Sequence, residues 1–239
     1  TVNDSGTTGL PNVTLTYSYD NVGNRAGMSD SKGGVVSYTY NARGNLTEET
    51  LSGTGVTAER VDFAYDTEGR MTTLTRSSNL AGTAVVAVSA YAHDHAGQLT
   101  GIVNKNSGGG TLTSYGYTYD GAGRVTQETR SWSGGSATDT LTYSYTNNNQ
   151  LTSVTHSNGS FANESFSYDA NGNQTGTGYT TTTGNEQTAS PGYTYTYDAA
   201  GDLITATQTS TGNVWTYTYD FRDRMTGAVE KTSAGAVLA

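Results

Sequence analysis

A ten-residue pattern, Tyr-x-Tyr-Asp-x-x-Gly-polar-aliphatic-Thr, occurs nine times along this chain and governs what it can fold into. Clear copies are YTYDGAGRVT (Tyr117 to Thr126), YTYNARGNLT (Tyr38 to Thr47) and FAYDTEGRMT (Phe63 to Thr72); looser ones begin at Tyr17, Tyr91, Tyr143, Phe166, Tyr195 and Tyr217. The second aromatic position falls at Tyr19, Tyr40, Tyr65, His93, Tyr119, Tyr145, Tyr168, Tyr197 and Tyr219, with gaps of 21 to 29 residues. A period of this size means one supersecondary unit copied along the chain.

The unit reads as a β-hairpin. Alternation such as Tyr193-Thr194-Tyr195-Thr196-Tyr197 is the period-two signature of a strand. Asp followed by Gly three residues later fits a type I turn closed by a left-handed residue in a bulge. The side chain at the first position can accept a hydrogen bond from the backbone two residues on. That position is held by Asp20, Asp66, Asp94, Asp120, Asp169, Asp198 and Asp220, and otherwise by Asn41 and Thr146, all of them acceptors. The glycine position is held by Gly23, Gly44, Gly69, Gly97, Gly123, Gly172 and Gly201, and otherwise by Asn149 and Asp223. Asn and Asp are the non-glycine residues that best tolerate positive φ. These residues are therefore expected to be structural, with turns at 20–24, 41–45, 66–70, 94–98, 120–124, 146–150, 169–173, 198–202 and 220–224.

A three-residue loop predicts the register. Tyr40 should face Leu46, Thr39 should face Thr47, and Tyr38 should face Glu48. The second aromatic then lies beside an aliphatic residue (Leu46, Met71, Leu99, Val125, Leu151, Leu203 or Met225), a favourable cross-strand pair. The middle position is always Ser, Thr or Ala, so one face should be bulky and apolar and the other thin and polar. Looser glycine-rich turns make the return connections: Ser31 to Gly34, Ser52 to Gly55, Asn106 to Gly110, Ser133 to Ser136, Asn158-Gly159 and Gly212-Asn213.

Two strands per copy predict about eighteen strands in an all-β, up-and-down meander. Open twisted sheets rarely exceed about ten strands without curling or splitting, so a spiral or partial shell wall is expected. The array should run from 17 to 227 as one continuous stretch, with a leading segment 1–16 and a trailing segment 228–239. Of the 18 tyrosines, 15 sit in the repeat positions, which suits a thin wall that needs a ring to bury and a hydroxyl to bond. Beginning at Thr1 and ending shortly after a repeat, the chain reads as a piece of something longer.

Charge and composition exclude several classes. A net charge of −9 and scattered arginines argue against a nucleic acid or anionic membrane partner. No apolar run approaches the ~20 residues needed to insert a helix in a membrane. There is no cysteine for a disulfide or zinc framework. Sequons at Asn12, Asn45 and Asn163 are what chance gives in a chain this rich in Asn, Ser and Thr.

Tyr-Asp followed by x-x-Gly-Asn/Arg-Leu-Thr, from Tyr17 to Thr226, resembles the YD repeats of the rearrangement-hotspot (RHS) proteins. Similar repeats occur in wall-associated polymorphic toxins, in the C components of insecticidal toxin complexes, and in teneurins. The resemblance implies a β-sheet strip spiralling into a hollow shell, which in bacterial members encloses a toxic C-terminal domain. Frequent Asn and little Arg at the turns fit the bacterial type. The family's Asp-Pro-x-Gly-Leu core signature does not occur in this sequence, so no self-cleavage site carries over.

Candidate chemistry mostly resolves into repeat positions. His93-Asp94-His95 looks like a metal triplet, but His93 takes a tyrosine slot and Asp94 a turn slot, while His156 stands alone. The turn aspartates do not make a calcium loop, which places oxygen ligands on alternate residues of one loop, whereas each turn here supplies one. Glu48 is expected to face Tyr38 with Glu49 on the other face, which does not make a glycosidase dyad. Trp132, in a return loop beside glycines, is the candidate for stacking on a ligand, whereas Trp215 shares the parity of Tyr217 and should fill the wall. The expectation is a non-catalytic structural segment of a bacterial secreted or cell-surface protein, without cofactor or metal. Its partners would be neighbouring repeats, like molecules and an enclosed toxin domain. The alternative is an extracellular adhesive or glycan-binding surface, or a fibre-forming repeat.

Overall fold

Alternating aromatic and hydroxyl side chains, with glycine placed at turns, favour an extended backbone. The computed structural model describes residues 13–133 and 138–238, and these form strands and turns with no helix. The first strands are β1 (Leu15–Tyr19), β2 (Arg25–Asp30), β3 (Gly34–Tyr40), β4 (Leu46–Gly53), β5 (Glu59–Tyr65), β6 (Met71–Ser77) and β7 (Val85–His93). Next come β8 (Leu99–Asn106), β9 (Thr111–Tyr119), β10 (Val125–Trp132), β11 (Asp139–Tyr145), β12 (Leu151–His156), β13 (Glu164–Ser165) and β14 (Ser167–Tyr168). The last are β15 (Gln174–Thr175), β16 (Thr180–Thr181), β17 (Gln187–Ser190), β18 (Tyr193–Tyr197), β19 (Leu203–Gln208), β20 (Val214–Tyr219) and β21 (Met225–Lys231).

Sheet order follows chain order, as a meander requires: β1 to β13 in one sheet, β14 and β15 in a second, β16 to β21 in a third. The count is 21 rather than about eighteen. One addition is a hairpin the repeat count missed, β16–β17, whose turn runs from Thr182 to Glu186 with Asn185 at φ 64°. The chain divides into two compact units, Thr1–Tyr143 with Thr155–Ala162, and Ser144–Val154 with Asn163–Ala239. In the first, strands β1 to β10 are 5 to 9 residues long. The second holds β13 to β17, of 2 to 4 residues, and the longer strands β18 to β21.

Little is deeply buried. Among the described residues Leu141, Val154 and Ala206 are the buried apolar side chains. The repeat aromatics are mostly half-buried, and the middle positions Thr39, Ala64, Thr118, Ser144, Ser167, Thr196 and Thr218 are exposed. Stability must therefore come largely from cross-strand pairs and hydrogen bonds repeated along the array.

All nine turns fall where the sequence places them. At Asp120 the N–H donates to Arg124 O (3.0 Å) and the carbonyl accepts from Gly123 N–H (3.0 Å), with Gly123 at φ 80°. Asn149 and Asp223 adopt φ 64° and 56° in the same seat. Ser133-Gly134-Gly135-Ser136, the expected return turn, lies largely outside the described residues, as does the sequon at Asn12. Other return turns are less loose than expected. Asn106 Oδ1 caps Gly108 and Gly110, and Asp30 Oδ1 caps Lys32 and Gly34, in the manner of the repeat turns.

The register differs from expectation beyond the first pair. Tyr40 faces Leu46, but Thr39 faces Glu48 and Tyr38 faces Glu49, because Thr47 is the extra residue of a second bulge. The same shift follows the second aromatic at Tyr19, Tyr65, His93, Tyr119, Tyr197 and Tyr219. Every side chain beyond it changes face. Glu49 therefore lies beside Tyr38 on the aromatic face, while Glu48 lies on the other and pairs with Arg60 at 2.9 Å. Facing pairs Tyr117–Glu128 and Tyr115–Arg130 place two more charges among the rings. The aromatic face is mixed, not apolar.

Candidate functional site

Each repeat turn is built around one acceptor. Asp120 Oδ1 accepts from the N–H groups of Ala122 (2.9 Å) and Arg124 (3.0 Å), and its Oδ2 from Arg124 Nε (2.6 Å). Asn41 does the same with Arg43 and Asn45, and the Thr146 hydroxyl with Asn148 and Gln150. Backbone and side-chain bonds from Arg124 hold the Asp120 pKa below the usual carboxylate value, against a smaller opposing effect of burial. At Asp20 and Asp66 burial works upward, yet the hydrogen bonds from Asn24 and Arg70 and their neighbours outweigh it. The carboxylates are thus occupied in their own turns.

The second aromatic does what sequence reasoning missed. Pairing of β4 with β5 runs no closer to the turn than Glu48, which leaves the Leu46 carbonyl outside the ladder. The Tyr65 hydroxyl of the next repeat donates to it at 2.7 Å. The same latch joins Tyr40 to Arg25 O (3.0 Å), Tyr119 to Leu99 O (2.6 Å), Tyr168 to Leu151 O (2.9 Å), Tyr197 to Gln187 O (2.8 Å) and Tyr219 to Leu203 O (3.0 Å). A signal for it was present in the sequence. Phenylalanine enters the first aromatic position at Phe63 and Phe166 but never the second, where a hydroxyl is needed.

A polar residue just before or just after the turn's left-handed residue reaches the neighbouring turn. Arg43 donates to Thr67 O, Arg70 to Asp94 O (2.8 Å) and Gln150 to Gly172 O (3.4 Å), while Asn171 and Asn173 both donate to Asn185 Oδ1. Between adjacent turns lies a recurrent open groove; the one lined by Asn41, Arg43, Asn45, Tyr65 and Asp66 measures about 500 Å³. Two others occupy the same place at Asp20 to Tyr40 and at Thr146 to Tyr168. At Asp202 the ladder position is acidic. Burial and the charges of Asp198 and Asp223 push its pKa up.

Away from the turns, the structure assembles a cluster that the sequence did not reveal. His156 does not stand alone: its Nδ1 lies 2.6 Å from Oδ2 of Asp139, a residue only 1% exposed. Asp139 Oδ1 accepts from Asn158 N–H (3.0 Å) and bonds the Ser157 hydroxyl (3.4 Å). Burial acts to raise the Asp139 pKa, but these bonds and the imidazole hold it below the usual value. Nearby, Glu128 takes both Arg130 Nε (2.7 Å) and the Tyr143 hydroxyl (2.9 Å), and the arginine contact is the larger reason its pKa falls. The Ser157 hydroxyl sits on the carboxylate rather than the imidazole, so these residues do not line up as a nucleophile relay. Asp139, His156, Glu128 and Arg130 all lie outside the ten-residue pattern, which is why no periodicity announced them.

Trp132 is the last residue of β10, not part of a loop, since the strand continues its pairing as far as Thr113. It is 38% exposed beside Thr113, whose hydroxyl accepts from Asn104 Nδ2 (2.8 Å). Trp215 stacks on Tyr217 at 6.3 Å in the wall, as its parity predicts. His93 and Asp94 occupy their repeat seats, with Asp94 Oδ1 accepting from Gln98 N–H at 2.9 Å.

The repeat seen in the hydrogen bonds is also the repeat of a known family model. The model described as RHS Repeat matches residues 19–57, 40–80 and 197–235. Over those stretches the chain carries RHS repeats. Among solved structures, TcdB2–TccC3 is similar over 95% of this chain at 15% identity and a TM-score of 0.50. The Photorhabdus luminescens Tc holotoxin pore is similar over 92% at 15% identity and a TM-score of 0.45. The chain covers 14% of each of those chains, and the likeness to the first is one of fold. No curated protein matches. The RHS repeats therefore supply a structural segment: an antiparallel meander whose Tyr, Asp and polar positions are spent on holding hairpins together.

Proposed function

We propose that this chain is a non-catalytic wall segment of a bacterial secreted or surface RHS protein, forming part of a β-shell around a toxin or other cargo. The observation that carries the reading is the use of the repeat's polar side chains. Turn carboxylates cap their own turns, tyrosine hydroxyls latch the preceding hairpin, and arginine or amide groups bridge adjacent turns. Such a repeat serves extension of a sheet rather than turnover. The resemblance to toxin-complex C components supports an enclosed cargo. The test is limited proteolysis of the full-length polypeptide in which these repeats occur. Its non-repeat segment should resist cleavage until the repeats are denatured. Cleavage as fast as that of the same segment made alone would remove enclosure from the account. Turnover by the purified chain, lost on changing one named residue, would remove the non-catalytic role.

A further inference from the structure

Asn-Gly occurs twice in this sequence, at Asn158-Gly159 and at Asn171-Gly172. Such a pair carries a latent reaction of its own. The glycine nitrogen can attack the asparagine side-chain carbonyl, because no Cβ on the glycine crowds the approach. Both pairs sit in turns, yet the structure treats them in opposite ways.

At the second pair the attacking and leaving groups are both held. The Gly172 N–H donates to Asp169 O (3.1 Å), and Asn171 Nδ2 donates to Asn185 Oδ1 (3.1 Å). At the first pair neither is held. Among the described residues the Gly159 N–H and the Asn158 Nδ2 have no hydrogen-bond partner, and Gly159 and Ser160 are exposed to water. The Ser160 N–H donates to Asn158 Oδ1 at 3.0 Å. That bond lies where negative charge develops when the side-chain carbonyl is attacked, so it serves as an oxyanion donor. The main chain folds the same segment back, with the Phe161 N–H on Asn158 O (3.1 Å), while the Asn158 N–H is anchored on Asp139 Oδ1 (3.0 Å).

We propose that Asn158-Gly159 is a self-modification site, where water converts the asparagine to isoaspartate and aspartate in the folded chain. Solvent hydroxide takes the Gly159 N–H proton, and the nitrogen forms a bond to Asn158 Cγ. The Cγ–Nδ2 bond breaks and ammonia leaves, its last proton returned from water, which closes a cyclic imide. Water then adds to either imide carbonyl and opens the ring. Opening at the main-chain carbonyl leaves isoaspartate, with the chain running through Cγ; opening at Cγ leaves aspartate. Nothing is oxidised or reduced, and no cofactor enters. In isoaspartate the carbonyl that accepted from the Phe161 N–H has become a free carboxylate, and the main chain is longer by a methylene. The 158–161 turn therefore opens, and Phe161 loses its hold beside His156, where the ring centroids lie 5.5 Å apart.

Peptide mass spectrometry on the folded 239-residue chain, incubated at mildly alkaline pH, tests this. Asn158 should show the mass change of amide to acid, with fragmentation revealing isoaspartate and aspartate together. It should convert at least about tenfold faster than Asn171, the worth of the two hydrogen bonds that protect the second pair. In guanidinium the two sites should convert at similar rates, because Asn171 accelerates while Asn158 gains nothing. A Cβ at Gly159 would meet nothing within 4 Å, so Gly159→Ala should fold as the parent does and lose most of the conversion at Asn158. The comparison within the parent chain decides even if that variant fails to fold. In the isoaspartate form the Phe161 amide should exchange with deuterium faster than before conversion. Equal rates at the two sites in the folded chain, or conversion of Asn158 faster unfolded than folded, overturns the proposal. So does conversion without isoaspartate, conversion undiminished in folded Gly159→Ala, or unchanged exchange at Phe161.

Discussion

Tyr119 and Asp120 are adjacent in sequence and serve different hairpins. Asp120 closes its own turn, whereas the Tyr119 hydroxyl reaches back to Leu99 O in the preceding one. Removing that hydroxyl leaves a half-buried carbonyl without its donor, which typically costs about 1–2 kcal/mol. Tyr119→Phe should therefore lower the urea midpoint of unfolding by that equivalent. Tyr117→Phe, two residues earlier on the same face, should change it less. Equal effects would show that the ring rather than the latch matters. At this scale the sequence was half legible. Asp and Gly announce a turn because their constraint is local: an acceptor side chain and a positive φ three residues apart. The latch is a contact between repeats, marked only by the absence of phenylalanine from one position. Thr47 looks like any strand residue, so nothing marked it as the bulge that turns Glu49 toward the rings.

At the scale of the hairpin, the left-handed seat is the point of least tolerance. A Cβ at Gly123 would stand 3.3 Å from Gln98 Nε2, and φ 80° is strained for any branched side chain. Gly123→Val should cost about 1–2 kcal/mol from backbone sterics. Asn149→Gly should be neutral or mildly stabilising, because asparagine already pays for φ 64° in that seat. Chemical denaturation of the two variants decides; destabilisation by Asn149→Gly would mean its side chain does more than tolerate the turn. Strand length sets a second expectation. Two-residue strands β13 to β16 are held by few ladder bonds and bury almost nothing, whereas β7 to β10 pair over many residues. Backbone amides in 164–181 should exchange with deuterium well before those in 85–132. The thinning was partly visible as the longest gap between repeats, 29 residues from Tyr168 to Tyr197, where the degenerate Thr182 turn now stands. Asp139 and His156 were not visible, because both lie outside the ten-residue pattern that places the other residues.

For the whole chain, pH separates two electrostatic effects of opposite sign. A net charge of −9 at pH 7 implies mutual repulsion that should ease toward the isoelectric point of 4.6, favouring the fold as acid is added. The paired carboxylates act the other way. Asp20, Asp66, Asp120, Asp169, Asp220, Asp139 and Glu128 all have folded pKa values below their ordinary ones. A lowered folded pKa means the unfolded chain binds protons first. Their contribution is therefore complete above the unfolded values, about 3.9 for Asp and 4.3 for Glu, and is lost as pH falls through the folded ones. Among the described residues Asp202 alone of the shifted carboxylates is raised, so its contribution is present at low pH and lost as pH rises through its folded value. The melting temperature should hold or rise slightly from pH 7 to about 5, then fall below about 4 as the turn carboxylates protonate. Asp202→Asn should raise the melt at neutral pH, with a gain that shrinks in acid, because it removes a charge set against Asp198 and Asp223. Asp120→Asn should stay near the parent at neutral pH, since asparagine serves the same turn at Asn41, and should soften the acid loss. A melting temperature that kept climbing below pH 4 would mean that net repulsion outweighs the capped turns. The carboxylates would then be incidental to an array held by its tyrosines and strand pairs.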